Sequence, residues 1–191
     1  MRRTLVVMVK EPRPGRVKTR LGREIGMTRA AWWFRHQTRS LLRRMRDPRW
    51  QIVLAVSPDA EGLRSPVWPR DLARLPQGNG HLGRRMMRQM RATPGPVCVI
   101  GADIPGVTPR AVWHAFQTLG DHDAVFGPAT DGGYWLVGLK HPSRSLLALL
   151  DPVRWSTEHA LTDSVAAIGA MRIGMVETLS DVDTAKDLDR W

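Results

Sequence analysis

The chain of 191 residues has a single cysteine, Cys98, and lacks any long apolar run. One cysteine excludes an internal disulfide and fits a reducing compartment, so we expect a cytoplasmic protein. The N-terminal apolar run before Lys10 is far shorter than the roughly 18 residues of a membrane-spanning helix, and no signal-peptide cleavage site follows it. No repeat, low-complexity tract or long linker interrupts the sequence, which predicts one domain over residues 1–191.

Acidic residues are scarce near the N-terminus. Residues 1–50 contain 15 Lys and Arg against 3 Asp and Glu, whereas residues 151–191 contain 4 against 8, and the net charge is +11. A basic half with eight tryptophans can mark a nucleic-acid surface. Most of the excess arginines, however, recur at the spacing of a solvated helix face; they are Arg35, Arg39, Arg43 and Arg46. We therefore favour a small-molecule partner over nucleic acid, and expect no membrane partner.

The first predicted strand and the cationic loop after it give the main functional signal in the sequence. The run Leu5–Val9 is apolar without alternation, which is typical of a strand buried on both faces of a parallel sheet. Pro12, Pro14 and Gly15 cannot continue that strand. In open α/β sheets, ligands bind at such loops. The loop region carries five cations, Lys10, Arg13, Arg16, Lys18 and Arg20. They predict a phosphate site, although a solvated turn is the alternative and the pattern matches neither common glycine-rich phosphate motif.

The rest of the chain alternates strands and helices, which indicates the α/β class. Further strands are predicted at residues 51–56, 72–75, 96–101, 124–127, 134–139 and 172–177. Helices are predicted at residues 28–46, 84–91, 109–119, 145–150 and 157–168, and from Ala185 onward. Expected helix caps are Thr28, Thr108, and Asp181 or Asp183. The connection 128–133 is too short for a helical crossover, so the strands beside it must be antiparallel or lie at an edge.

Asp103 lies at the tip of the strand predicted at 96–101. A carboxylate there is costly unless it is paired, capping a helix or bound to a cation. Thr108, directly before Pro109, suits the cap better, so Asp103 is left for a metal. Elsewhere, Asp131-Gly132-Gly133 has the composition of a hairpin turn.

Four segments, in this order, resemble the GT-A-like nucleotide-diphosphosugar transferases of the arsenosugar-biosynthesis glycosyltransferase type. They are residues 10–21, 101–106, 127–134 and 181–184. The element Lys18–Leu21 is also similar to 2-phospholactate guanylyltransferase and, more remotely, to molybdenum-cofactor guanylyltransferases. The resemblance implies a three-layer α/β/α GT-A (Rossmann-like) fold with a mostly parallel mixed sheet of about seven strands.

The resemblance also implies site residues. Those that would contact nucleotide phosphates are Lys10, Gly15, Lys18 and Arg20. Those that would face the base and ribose are Gln77, Gly80, Leu82 and Gly83. Those that would bind the acceptor are Asp131, Gly132, Gly133 and Tyr134. Asp103, with Asp183 as a second carboxylate, would hold Mg²⁺ or Mn²⁺. The chain departs from the family pattern at His81, where an acid is usual, and at Ala102 and Ile104, where serine and cysteine are usual. The first departure bears on nucleotide or sugar specificity, and the second on packing.

Three functions follow. The leading one is nucleotidylyl transfer from a nucleoside triphosphate to a small anionic acceptor, with Lys18 and Arg20 neutralising charge on the phosphates. The alternative is glycosyl transfer from a nucleotide sugar, with Asp131 as base. The third is a non-catalytic basic binding module. Four tryptophans have two interpretations, the core for most of them or a homodimer surface; they are Trp32, Trp33, Trp68 and Trp113. Both enzymatic functions require Lys18 and Asp103 to meet in one pocket.

Overall fold

The computed structural model describes residues 2–144 and 147–189. Its strands are β1 (Thr4–Lys10), β2 (Gln51–Ser57), β3 (Ala73–Pro76), β4 (Val97–Gly101), β5 (Ala124–Pro128), β6 (Tyr134–Leu139) and β7 (Ile173–Met175). They form one sheet in the order β3-β2-β1-β4-β6-β5-β7. Strand β6 runs antiparallel to β4 and β5, and the other neighbouring pairs are parallel. The prediction that β5 and β6 are antiparallel is therefore confirmed.

Helices cover both faces of this sheet. They are α1 (Thr19–Ile25), α2 (Met27–Arg44), α3 (Asp59–Arg64), α4 (Leu82–Arg91), α5 (Pro109–Asp121), α6 (Ala160–Ile168) and α7 (Ala185–Leu188). Side chains of α2 and α5 pack in the core on one face, and those of α4 and α6 pack in the core on the other. The predicted three-layer α/β/α fold is confirmed. No helix in the described residues has the length and apolarity needed to cross a membrane.

Strand β1 is the centre of the molecule. Leu5 and Val7 pack into one core while Val6 packs into the other, and all three are fully buried. Burial of each such side chain stabilises the fold by about 1.5–3 kcal/mol. Neighbours β2 and β4 flank β1 on its two sides. Because β1, β2 and β4 are parallel, their carboxyl ends lie at one edge of the sheet, where the candidate site forms.

Several predicted helix boundaries are wrong. Thr28 lies inside α2, whose N-cap is Gly26, because this glycine has a φ of 95° that joins α1 to α2 with a sharp turn. Helix α4 starts at Leu82, two residues before the prediction. Helix α3 was not predicted, since the prolines beyond it obscured its short pattern. Thr184, and not Asp181 or Asp183, caps α7 in a capping box with Asp187.

Two other boundary predictions have different outcomes. The Thr108 cap is confirmed, since its hydroxyl accepts a hydrogen bond from the Ala111 amide at 3.1 Å. The helix predicted at 145–150 begins outside the described residues, and residues 147–150 form turns.

Candidate active site

The ammonium group of Lys18 joins three carboxylates that come from two distant loops. Its Nζ lies 2.7 Å from Oδ2 of Asp103, 2.7 Å from Oδ1 of Asp183 and 3.7 Å from Oδ2 of Asp181. The Lys18 side chain is only 7% exposed, whereas the three carboxylates are about one-third exposed. Lys18 and Asp103 are therefore in contact, as predicted, and the turn at 181–183 adds two further carboxylates.

Local backbone structure places these groups. Lys18 precedes α1 with a φ of 45° in the left-handed region, which side-chain-bearing residues rarely adopt. The Asp103 carbonyl accepts a hydrogen bond from the Val182 amide at 3.4 Å, which ties the loop after β4 to the turn before α7. Val182 itself is fully buried against Leu21 and Ala30, so this turn is anchored to the helix that Lys18 begins.

Burial and neighbouring charges together shift the pKa values of Lys18 and Asp181. Burial disfavours the Lys18 ammonium, but the Asp103 carboxylate, and after it Asp183, outweigh burial and raise the pKa of Lys18. Burial also raises the pKa of Asp181 to about 6; Asp183, Asp103 and Asp131 add to the rise, and Lys18 opposes it. The cluster therefore has more carboxylate charge than one lysine neutralises.

A first cleft of about 420 Å³ opens beside Lys18. Seven residues predicted for the nucleotide or the metal line it, namely Lys10, Lys18, Arg20, Gln77, Leu82, Asp103 and Asp183. Arg16 lines it as well. Arg20 donates to Oδ2 of Asp183 at 3.1 Å and is 69% exposed. Four cations in one cleft make an environment that attracts phosphate oxygens.

A second cleft of about 260 Å³ lies next to the first. The two share Met8, Leu82, Gly101 and Asp103, so they meet at the tip of β4. Residues of the second cleft that the sequence had assigned to an acceptor are Asp131, Gly133 and Tyr134. Burial raises the pKa of Tyr134, against the hydrogen bond from Ser164, so its phenol stays protonated. The walls are mostly apolar, with Trp135 and Trp155 among them.

Backbone strain marks both clefts. Among the described residues, the two non-glycine residues with positive φ are Lys18 at 45° and Ser156 at 62°. Lys18 lines the first cleft and Ser156 the second. Non-glycine residues in this region cost of order 1–3 kcal/mol and cluster at functional sites.

Four predicted glycines do not line either cleft. Gly15 lies in an exposed turn with a φ of 73°. Gly80 lies near the side chain of Arg84, and Gly83 is packed under Trp155 and Leu150. Gly132 faces the backbone of residue 158. These glycines shape the loops, since each one permits a turn or a close approach that a side chain would prevent.

The loop at 77–83 is held by hydrogen bonds to β1, β2 and the loop that contains Asp151. The Gln77 amide donates to the carbonyls of Val9 and Ala55 at 3.1 and 2.9 Å, so both strands bind it. His81 contacts Asp151 at 3.0 Å through Nε2, and its ring stacks on Trp155 with the ring centres 6.2 Å apart. His81 therefore supports a wall of the second cleft.

Asp103 and Asp183 fit a divalent cation in their chemistry, because carboxylate oxygens are the donors that Mg²⁺ and Mn²⁺ prefer. The described residues contain no group of three or more acidic, histidine or cysteine side chains that could hold a metal. Sites with one or two carboxylates use substrate phosphates as the remaining ligands. The donor set therefore fits a metal that arrives with a nucleotide.

Three residues of the site were not predicted. Asp181 was considered only as a helix cap. The Asp-Val-Asp spacing could have indicated that the side chains of Asp181 and Asp183 lie on the same side of the chain. Trp155 and Ser156 follow a segment with no readable periodicity, and no local signal connects them to the site.

The fold is that of nucleotide-diphospho-sugar transferases. A candidate nucleotide-diphospho-sugar transferase from Desulfovibrio desulfuricans G20 is 28% identical and matches 99% of this chain and 86% of its own, with a TM-score of 0.84. CMP:2-keto-3-deoxy-manno-octonic acid synthetase complexed with CTP is 12% identical over 100% and 96% of the two chains, with a TM-score of 0.59. Rv0371c of Mycobacterium tuberculosis H37Rv, in complex with manganese, is 16% identical over 100% and 97%, also at 0.59.

The chain belongs to the family DUF2064, described as uncharacterized proteins conserved in bacteria, whose pattern matches residues 41–157. This segment includes Asp103 and Asp131, while Lys18 and Asp183 lie outside it. No curated protein matches the chain. The resemblance to nucleotide-diphosphosugar transferases is thus confirmed at the level of the fold, and the closer likeness to arsenosugar or guanylyltransferase enzymes stays a prediction.

Proposed function

We propose that the protein is a transferase that binds a nucleotide donor in the first cleft and an acceptor in the second. The observation that carries this proposal is the position of Lys18, which lies in the cation-lined first cleft and contacts Asp103, a residue shared by both clefts. A donor with its phosphates at Lys18 would present its reacting group at the boundary between the clefts. Proximity of this kind supplies much of the rate in group transfer.

The solved relatives support the donor class. One is a candidate nucleotide-diphospho-sugar transferase, another is a CMP-sugar synthetase with CTP, and a third holds manganese. In this chain Lys10, Arg16, Lys18 and Arg20 would bind the phosphates. Asp103 and Asp183 would hold the divalent cation together with the phosphates, and the cation would neutralise charge on them.

The charge of the second cleft bears on the reaction. Its carboxylates are Asp103, Asp131 and Asp181, and no Lys, Arg or His of the described residues lines it. An anionic acceptor, which nucleotidylyl transfer to a phosphate would need, is repelled there. We therefore favour glycosyl transfer from a nucleotide sugar over the nucleotidylyl transfer that the sequence suggested.

The proposed step transfers a glycosyl group from the diphosphate to the acceptor. The acceptor hydroxyl oxygen forms a bond to the anomeric carbon, while the bond from that carbon to the diphosphate oxygen breaks. The nucleoside diphosphate leaves with the electron pair, held by Lys18 and Arg20. The hydroxyl proton passes to Asp131. Oδ1 of this residue accepts a hydrogen bond from the Gly133 amide at 2.9 Å, and its carboxylate is otherwise exposed to the cleft.

A thermal-shift screen of nucleoside triphosphates and nucleotide sugars, with and without Mg²⁺ or Mn²⁺, tests the donor. A ligand at 100 times its Kd stabilises by about 2.7 kcal/mol. We expect stabilisation by nucleotide sugars that depends on metal. Release of a nucleoside diphosphate on turnover would support glycosyl transfer, and release of pyrophosphate from a triphosphate would support nucleotidylyl transfer. No shift with any nucleotide would contradict the proposed function.

A further inference from the structure

The second cleft has aromatic walls and an acidic rim. Tyr134 and Trp155 meet at 72° with their ring centres 6.3 Å apart, so they present one ring face and one ring edge. Within the part of the chain that the structure describes, the buried Nε1 of Trp155 has no hydrogen-bond partner. Aromatic surfaces in this arrangement bind flat apolar or cationic groups.

The rim of the cleft has an unbalanced negative charge. Asp103 shares the Lys18 ammonium with Asp183 and, at longer range, with Asp181. Asp131 accepts a hydrogen bond only from the Gly133 amide among its described neighbours. A negatively charged group in the cleft would face these carboxylates with no Lys, Arg or His of the described residues lining the cleft to offset the repulsion, whereas a neutral or positively charged group would not be repelled.

The volume limits the size of the ligand. A cleft of about 260 Å³ lies just below the roughly 300–1,000 Å³ of typical small-molecule pockets. This is room for a molecule of one or two rings, and it is too small for a polymer segment to be enclosed.

We propose that the acceptor is a small ring compound without negative charge, which lies against Trp155 and Tyr134 and presents a hydroxyl at the carboxylates. This inference rests on the proposed function, because it assigns the second cleft to the acceptor. The carboxylates would favour an amine on this compound.

Three phenols of matched ring and hydroxyl test the charge preference: tyramine, 4-ethylphenol and 3-(4-hydroxyphenyl)propionate, which are cationic, neutral and anionic. Ligand-observed NMR titration of the full chain measures each Kd. We expect the propionate to bind at least tenfold more weakly than the other two, a difference of about 1.4 kcal/mol. Binding of the propionate as tightly as tyramine would overturn the proposal, as would the absence of tyramine and 4-ethylphenol binding at millimolar concentration.

Variants locate the binding. Trp155→Ala should abolish tyramine binding, while Trp32→Ala, which removes a 72% exposed tryptophan outside the cleft, should leave it unchanged. Asp131→Asn keeps an oxygen for the Gly133 amide and removes the charge, so it should shrink the gap between tyramine and the propionate. If Trp155→Ala does not fold, Asp131→Asn still decides the matter, because an unchanged gap would overturn the proposal.

The nucleotide thermal shift is read on the same samples. Stabilisation by a nucleotide, together with phenol affinities in the wrong order, would overturn only the proposed class of acceptor. A protein that no nucleotide stabilises overturns the proposed function, whatever the phenols do.

Discussion

The Nζ atom of Lys18 lies 2.7 Å from Oδ2 of Asp103, at the carboxyl edge of the sheet. The lysine follows β1 and the aspartate follows β4, which are neighbouring parallel strands. This pair connects the cationic loop to the carboxylates that border both clefts.

Removal of the Lys18 charge should destabilise the fold. Lys18→Met leaves Asp103 and Asp183 facing each other without a counter-ion, and breaking such a pair costs about 1–3 kcal/mol when the partners are partly exposed. Urea denaturation at neutral pH measures the loss. The control is Arg35→Met on the exposed face of α2, which should change stability by less than about 0.5 kcal/mol. Equal stabilities of the two variants would contradict the ion-pair cluster.

Metal binding should respond to the same substitution. In the wild type without nucleotide, the Lys18 ammonium competes with a divalent cation for Asp103 and Asp183. We expect Lys18→Met to bind Mn²⁺ roughly tenfold more tightly, about 1.4 kcal/mol, as measured by the electron paramagnetic resonance of free Mn²⁺. Adding Asp103→Asn should remove the gain. A gain that persists in the double variant would show that the metal binds elsewhere.

Asp181 should make stability depend on pH. Its pKa in the folded protein is about 6 and about 3.9 when unfolded, so folding favours the protonated form. That stabilisation is complete below about pH 4 and is lost as pH rises through about 6. Asp181→Asn should therefore raise the free energy of unfolding at pH 8, by up to about 3 kcal/mol, and change it little at pH 4.

Thermal denaturation of Asp181→Asn and of the exposed control Asp121→Asn at the two pH values measures this effect. The control should show no comparable gain at pH 8. If Asp181→Asn gave the same shift at both pH values, the raised pKa of the partly buried Asp181 carboxylate would not be the cause.

Gly132 should be needed for the turn beside the second cleft. Its φ is 85°, and a Cβ there would lie 2.2 Å from the carbonyl oxygen of Glu158. Gly132→Ala should cost about 2 kcal/mol or more, because it combines left-handed strain with a backbone clash. Gly120 in α5 has open space around its Cα, so Gly120→Ala should be neutral or stabilise by up to about 1 kcal/mol. Denaturant midpoints of both variants compare the two; similar midpoints would contradict this account of the turn.

The sequence predicted most of the sheet because its strands are short apolar runs with clear breaks. Leu5–Val9 and the run before Asp103 are buried on both faces, and burial on both faces leaves a continuous apolar pattern. The convergence of Lys18 with Asp103 could be predicted, since parallel strands bring their carboxyl ends together. Cap positions were less predictable. Gly26 and Thr184 are the caps because of the local backbone geometry. From the sequence alone, Thr28 and Asp183 were equally suitable cap residues.

The second cleft was only partly predictable. Asp131 and Tyr134 belong to a recognisable turn and strand, but Trp155 reaches them from a loop whose position depends on tertiary packing under α4. The role of Lys18 as the partner of three carboxylates also needed the structure. Sequence assigns it to phosphate, and spacing alone does not show that its left-handed backbone turns the side chain toward Asp183.

The assignment of the first cleft is best tested by calorimetric titration of the nucleotide selected by the thermal-shift screen, at Mg²⁺ concentrations that saturate the metal site of each variant. We expect the wild type and Arg35→Met to bind the nucleotide alike, and Lys18→Met to bind it at least tenfold more weakly, about 1.4 kcal/mol. Equal affinity in the wild type and Lys18→Met would contradict the assignment of the first cleft to the nucleotide phosphates.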